Sequence, residues 1–106
     1  MTMPLPDTSI ERLSMALDPV LDLRAAVPLK EALQQGLGRK IPLLIDAGAV
    51  TRISTACVQL LTAFALETEK TGIPLSLKNS SAAFDSAFAN LGLAGVLNGI
   101  KARELV

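Results

Sequence analysis

Two adjacent hydroxyls, Ser54 and Thr55, and two carboxylates, Asp22 and Asp46, are the residues of this chain whose types and positions invite chemistry. Ser54-Thr55 directly precedes the apolar run Ala56 to Leu66. Both hydroxyls therefore stand where a helix should begin, a place that favours side-chain oxygens because they accept from the orphan backbone N–H groups of the first turn. An exposed hydroxyl there is also within reach of a kinase. The charge it would gain, about −1.5 to −2, suits the positive end of the helix dipole and disrupts an apolar or acidic contact with a partner. Two readings of Ser54-Thr55 thus stand side by side, a helix cap and a phosphoryl acceptor. Asp22 and Asp46 each follow a short apolar stretch, where a carboxylate accepts loop N–H bonds. As a pair they are the one combination here suited to acid–base work. Catalysis is nevertheless not expected. The chain has no His to act as a base near neutral pH, no glycine-rich phosphate loop, and no Lys or His close in sequence to activate the hydroxyls.

These residues need a frame. Ile41-Pro42-Leu43-Leu44-Ile45 reads as a buried strand that Asp46 ends, with Pro42 at its start where a missing donor does least harm. In the helix that follows, Cys57, Leu60, Leu61 and Phe64 share a face, and Val58, Ala65 and Leu66 widen it. Gln59 and Thr62 interrupt the apolar run, and Cys57 reads as a small core filler. Lys70 and Gly72 supply the cation and the left-handed stop that end a helix. Upstream, Ile10 to Leu17 alternates as a half-exposed strand, Asp18-Pro19 breaks it, and Val20 to Leu23 reads as its hairpin partner. Ala25 to Leu37 is a predicted helix with Pro28 in its first turn, an apolar stripe of Val27, Leu29, Ala32, Leu33 and Leu37, and Gly36 and Gly38 as its end. Downstream, Ile73 to Lys78 alternates as a strand, Asn79-Ser80-Ser81 offers caps, and Ala82 to Leu91 reads as a helix closed by Gly92. Residues 1–8 are expected to be a flexible leader and 9–106 a single domain.

Composition narrows the function. At 106 residues, half of them hydrophobic and 19% charged, the chain suits one core that buries about two-thirds of its unfolded surface. Ten basic and ten acidic residues cancel, and neither Trp nor Tyr is present for base stacking, so a nucleic-acid surface is not expected. One Cys and no His leave neither a disulfide framework nor a Cys/His metal site, and no cofactor is implied. With no signal peptide or membrane-length apolar run, a cytoplasmic protein without direct membrane insertion is expected.

From Ile45 to Leu61 the chain resembles the signature of STAS domains (sulphate transporter and anti-sigma-factor antagonist). Asp46, Val50, Ile53 and Leu61 match, and Thr55 falls on the position that a partner kinase phosphorylates in the antagonist branch. Ser54 stands where the family has Asp, and Cys57 where it has Gly. Leu21-Asp22, Gly72 to Leu75, Asn79 to Ser81 and Leu91 to Leu93 extend the likeness to about residues 10–97. The resemblance implies an α/β fold: a mixed sheet of four to five strands with an initial hairpin, βαβ crossovers and three to four helices. It also implies a non-catalytic regulatory domain for protein–protein interaction, an antagonist-like switch whose partner is an anti-sigma-type serine/threonine kinase. By the same resemblance, Asp22 and Asp46 would tune a phosphate or nucleotide site. The alternative is a constitutive adaptor in a chemotaxis-type signalling complex or a transporter (lipid/ABC) assembly, motivated by the changes at Ser54 and Cys57. In such a sheet, partners meet the loops beyond the strands' carboxyl ends. The expected partner-facing set is Asp22, Arg24, Gly48, Ser54, Thr55, Gln59, Thr62, Ser80 and Ser81, with Ser54 the lesser acceptor candidate beside Thr55.

Overall fold

The structure, a computed structural model, describes residues 13–73 and 75–102; the expected leader at 1–8 lies outside the described residues. Its elements run β1 (Leu13–Ala16), β2 (Val20–Leu21), a 3₁₀ turn (Leu23–Ala25), α1 (Ala26–Arg39), β3 (Leu43–Ala47) and β4 (Arg52–Ile53). Then come α2 (Thr55–Thr71), β5 (Leu75–Ser80), α3 (Ala82–Asn90) and α4 (Ala94–Ala102). β1, β3 and β5 form one parallel sheet with β3 at its centre, and β2 and β4 form a separate parallel pair. The α/β class with βαβ crossovers is as predicted. The hairpin is not formed.

The reason lies in the turn at Pro19. Its carbonyl accepts from Thr51 N at 2.7 Å and Arg52 N at 3.1 Å, which draws Val20-Leu21 away from β1 and onto β4. The five strands are therefore divided three and two, and every ladder among the described residues is parallel. Parallel strands need a crossover. Here α1 bridges β1 to β3 and α2 bridges β3 to β5, and two right-handed crossovers that step the same way across a sheet bring both helices to one face.

Burial follows from that one-sided cover. Leu43, Ile45 and Ala47 of β3 are buried while Leu44 and Asp46 between them are only half-buried. Leu75 and Leu77 continue the covered face on β5. The central strand is thus not sealed on both sides, as its apolar run suggested. It also starts two residues later than predicted, so Asp46 lies within the strand rather than ending it. Leu33, Leu61, Val58 and Phe88 complete the core under the helices, each burial contributing about 1.5–3 kcal/mol before entropy is counted. Phe84 and Phe88 pack with ring centroids 5.0 Å apart.

α1 runs through both Gly36 and Gly38 to Arg39 and stops at Lys40, whose φ of 58° is left-handed. Gly36 serves packing instead: a Cβ there would run into the side chain of Leu43. Within the predicted stripe Leu29 and Leu33 are buried, but Val27, two residues before Leu29 and so on the opposite side of the helix, is 64% exposed. On α2 the burial of Cys57, Val58, Leu61, Phe64 and Ala65 is as read, whereas Leu60 is half-buried and Leu66 is exposed. Gly72, at φ 79°, ends α2 as predicted.

Candidate functional site

Ser54 is the N-cap of α2, its Oγ accepting from Cys57 N at 3.2 Å in extended backbone geometry. That satisfies one orphan donor and leaves Thr55, the first helical residue, exposed. Among the described residues nothing holds the Thr55 hydroxyl. The two adjacent hydroxyls therefore divide the roles that sequence alone left open between them: one caps and the other faces solvent.

The β2–β4 pair positions this helix start. Leu21 lies opposite Ile53, and the ladder is extended by Ser54 N donating to Leu21 O at 2.8 Å. One residue on, the Cys57 thiol donates to Asp22 O at 3.6 Å. The Asp22 strand end is thereby fixed beside the first turn of α2. Cys57 does more than fill the core, since the glycine of the family pattern has no donor to offer there.

The Asp22 side chain turns to its own loop. Its Oδ1 accepts from Arg24 N at 3.0 Å and Ala25 N at 3.2 Å, capping the 3₁₀ turn, and its Oδ2 pairs with Arg24 Nη2 at 3.0 Å. The Arg24 side-chain hydrogen bond is the chief reason its carboxyl is held below the usual carboxylate range. Arg24 itself is almost wholly exposed. Beside it Leu23 and Val27, four residues apart and 71% and 64% exposed, present apolar surface to solvent. Neither was expected outside: Leu23 read as a strand residue and Val27 as core. Their four-residue spacing, out of phase with Leu29 and Leu33, is the signal that could have found them.

Gln59 is exposed one turn beyond Thr55, on the same side of α2. Thr62 lies three residues further, half-buried, its hydroxyl bonded back to Val58 O at 2.9 Å.

Gly48, Ser80 and Ser81 belong to a second group. Asp46 Oδ1 accepts from Gly48 N at 3.0 Å and Asn79 Nδ2 at 3.2 Å. These two bonds, the backbone one foremost, hold the Asp46 carboxyl below its usual range. Gly48 is exposed at the turn, and a Cβ on it would approach Asn79 Cβ to 3.1 Å. Ser80 lies within β5, not in a cap, paired with Ala47. Ser81 alone caps α3, accepting from Phe84 N at 3.1 Å and donating to Val50 O. The first contact closes the start of α3 and the second ties it to the β3–β4 loop, so the hydroxyl's hydrogen-bonding capacity is employed inside the molecule.

The two carboxylates thus sit in different local networks, each pushed toward the ionised form. A proton-holding acid near neutrality would need the opposite shift. Among the described residues no group of His, Cys, Asp and Glu is arranged to hold a metal ion. Nor is any helix among them long and apolar enough to cross a membrane.

A one-sided parallel sheet, a two-strand ladder seating the start of a central helix, and an exposed hydroxyl at that start describe an α/β module. A family model described as "Mlab, STAS domain" matches residues 6–100, and the chain belongs to the STAS domain family. Neither a curated protein nor a solved structure matches it. STAS domains are generally non-catalytic and typically serve as regulatory or interaction domains.

Proposed function

We propose that this STAS module is a binding switch: a partner protein docks on the face around Thr55, and phosphorylation of Thr55 by an anti-sigma-type serine/threonine kinase controls that docking. The observation that carries the reading is the division of labour between Ser54, engaged as the cap, and Thr55, exposed beside it. The kinase would transfer the γ-phosphoryl group of ATP to Thr55 Oγ1, with the hydroxyl proton lost and ADP released. The product charge suits the helix dipole, so the fold tolerates what an apolar interface does not. Asp22, Arg24, Leu23, Val27 and Gln59 form the rest of the face, while Gly48 at its turn, Ser80 at the end of β5 and Ser81 at the start of α3 would contribute from the neighbouring group. The reading requires a cytoplasmic protein, where ATP is at hand.

A second reading, a constitutive adaptor in a chemotaxis-type signalling complex or a transporter (lipid/ABC) assembly, is favoured by Leu23 and Val27, an apolar contact that needs no modification to bind. Mass spectrometry of the protein from its own host separates the two, substantial Thr55 phosphate counting against the adaptor. With the partner identified by pull-down, Thr55→Glu should weaken binding by about tenfold, roughly 1.4 kcal/mol, and Thr55→Ala should leave it insensitive to the kinase. If both variants bind as the wild type does, the switch is wrong.

A further inference from the structure

Resting on the phosphorylation reading, a more specific inference concerns what happens to the charge once it is placed on Thr55. We infer that Arg24 is the receiver of the Thr55 phosphate, its guanidinium turning from Asp22 to span the carboxylate and the phosphoryl oxygens.

Three contacts set the stage. Ser54 N bonds Leu21 O and the Cys57 thiol bonds Asp22 O, so Thr55 sits between two residues that are each fastened to the Asp22 strand end. A phosphate on Thr55 therefore arrives beside the Asp22 backbone, and the Asp22 carboxylate, although turned to its own loop, puts a second negative charge at this strand end. The cation that neutralises this carboxylate is Arg24, joined to it through a single nitrogen, Nη2, and otherwise exposed to water. A guanidinium carries five donors, so the others are open to a second anion, and its planar fork suits phosphate oxygens.

Arg52 on β4, two residues before Ser54, is a second cation close in sequence to this end of α2, exposed and, among the described residues, without an ion pair. The first turn of α2 has no acidic residue. Arg24 is favoured because it already stands at Asp22, the group that the phosphate would otherwise repel, and leaving Asp22 uncovered would cost the pair its neutralisation. The consequence reaches the docking face: Arg24 lies between Leu23 and Val27 in sequence, so drawing it toward Thr55 would shift the polar rim of the apolar contact.

The test installs phosphothreonine at position 55 during synthesis, so its result does not depend on whether the host phosphorylates the protein. The phosphate is titrated by ³¹P NMR in the full chain. An unperturbed phosphate has a second pKa of about 6. With Arg24 in place the midpoint should lie below that by roughly half a unit or more, and Arg24→Gln should raise it back by most of that shift. Arg24→Lys should restore part of the depression as a point charge. Identical titrations in the wild type and Arg24→Gln would overturn the inference. So would a midpoint that moves with Arg52→Gln and not with Arg24→Gln, which would make Arg52 the receiver. Absence of phosphate on host protein would instead sink the switch and leave the titration as it stands.

Discussion

Ser54 and Ser81 hold the same office at two helices and differ in what surrounds them. Each accepts from the backbone N–H three residues on, Cys57 in one case and Phe84 in the other. Ser81 also donates to Val50 O, and its own N–H bonds Ala47 O at 3.2 Å, so the cap is fastened to the loop on the far side. At Ser54 the backbone N–H likewise bonds another strand, at Leu21 O, but the side chain makes the cap alone, and the next residue is an exposed hydroxyl. Both helix starts are thus anchored through the backbone, but only at Ser81 is the capping hydroxyl itself tied to a second element. The difference teaches that a serine cap marks a helix start without saying whether that start is structural or available to a partner.

Substitutions can break or sharpen that contrast. Ser81→Ala removes a cap and orphans the Val50 carbonyl, and should cost about 2 kcal/mol in denaturant unfolding. Ser54→Ala removes only a cap and should cost about 1 kcal/mol; equal losses at the two sites would erase the distinction. Asp46 sits near the end of β3, just before the loop that Ser81 holds. Because the folded carboxyl titrates below its unfolded value of about 3.9, its contribution is complete above that pH and disappears as pH falls through the lower folded value. Unfolding midpoints followed from pH 7 to pH 2 should therefore fall at the acid end, and Asp46→Asn should flatten that fall. Smallest of all should be Thr55→Ala, within about 0.5 kcal/mol of the wild type, since the hydroxyl supports nothing inside the molecule. A larger loss would mean that Thr55 belongs to the fold rather than to a partner.

What could be read from the chain beforehand followed from local rules. A cap at Ser54-Thr55, the stop at Gly72 and most of the apolar face of α2 are set by neighbours within a few residues, and the structure has them, with Ser54 as the cap and Leu66 outside the buried face. The hairpin failed because Asp18-Pro19 makes a convincing turn locally, while the bonds that decide the pairing come from Thr51 and Arg52, more than thirty residues away. β4 is two residues long and carries no period to detect. The glycines of α1 read as a stop because propensity is a local quantity, whereas Gly36 answers to Leu43 on another element. At the candidate site, the types of Ser54, Thr55 and Asp22 were legible. Their gathering beside the exposed Leu23 and Val27 was not, because it rests on the two-residue β2–β4 ladder and on a thiol contact spanning 35 positions.

That thiol contact carries a last consequence. The face around Thr55 is a mosaic of segments distant in the chain, so neither an isolated peptide carrying the helix start nor one carrying the Asp22 turn reproduces it. A partner that reads this mosaic inspects the finished fold. A nascent or damaged copy, in which the two segments have not met, would pass unrecognised.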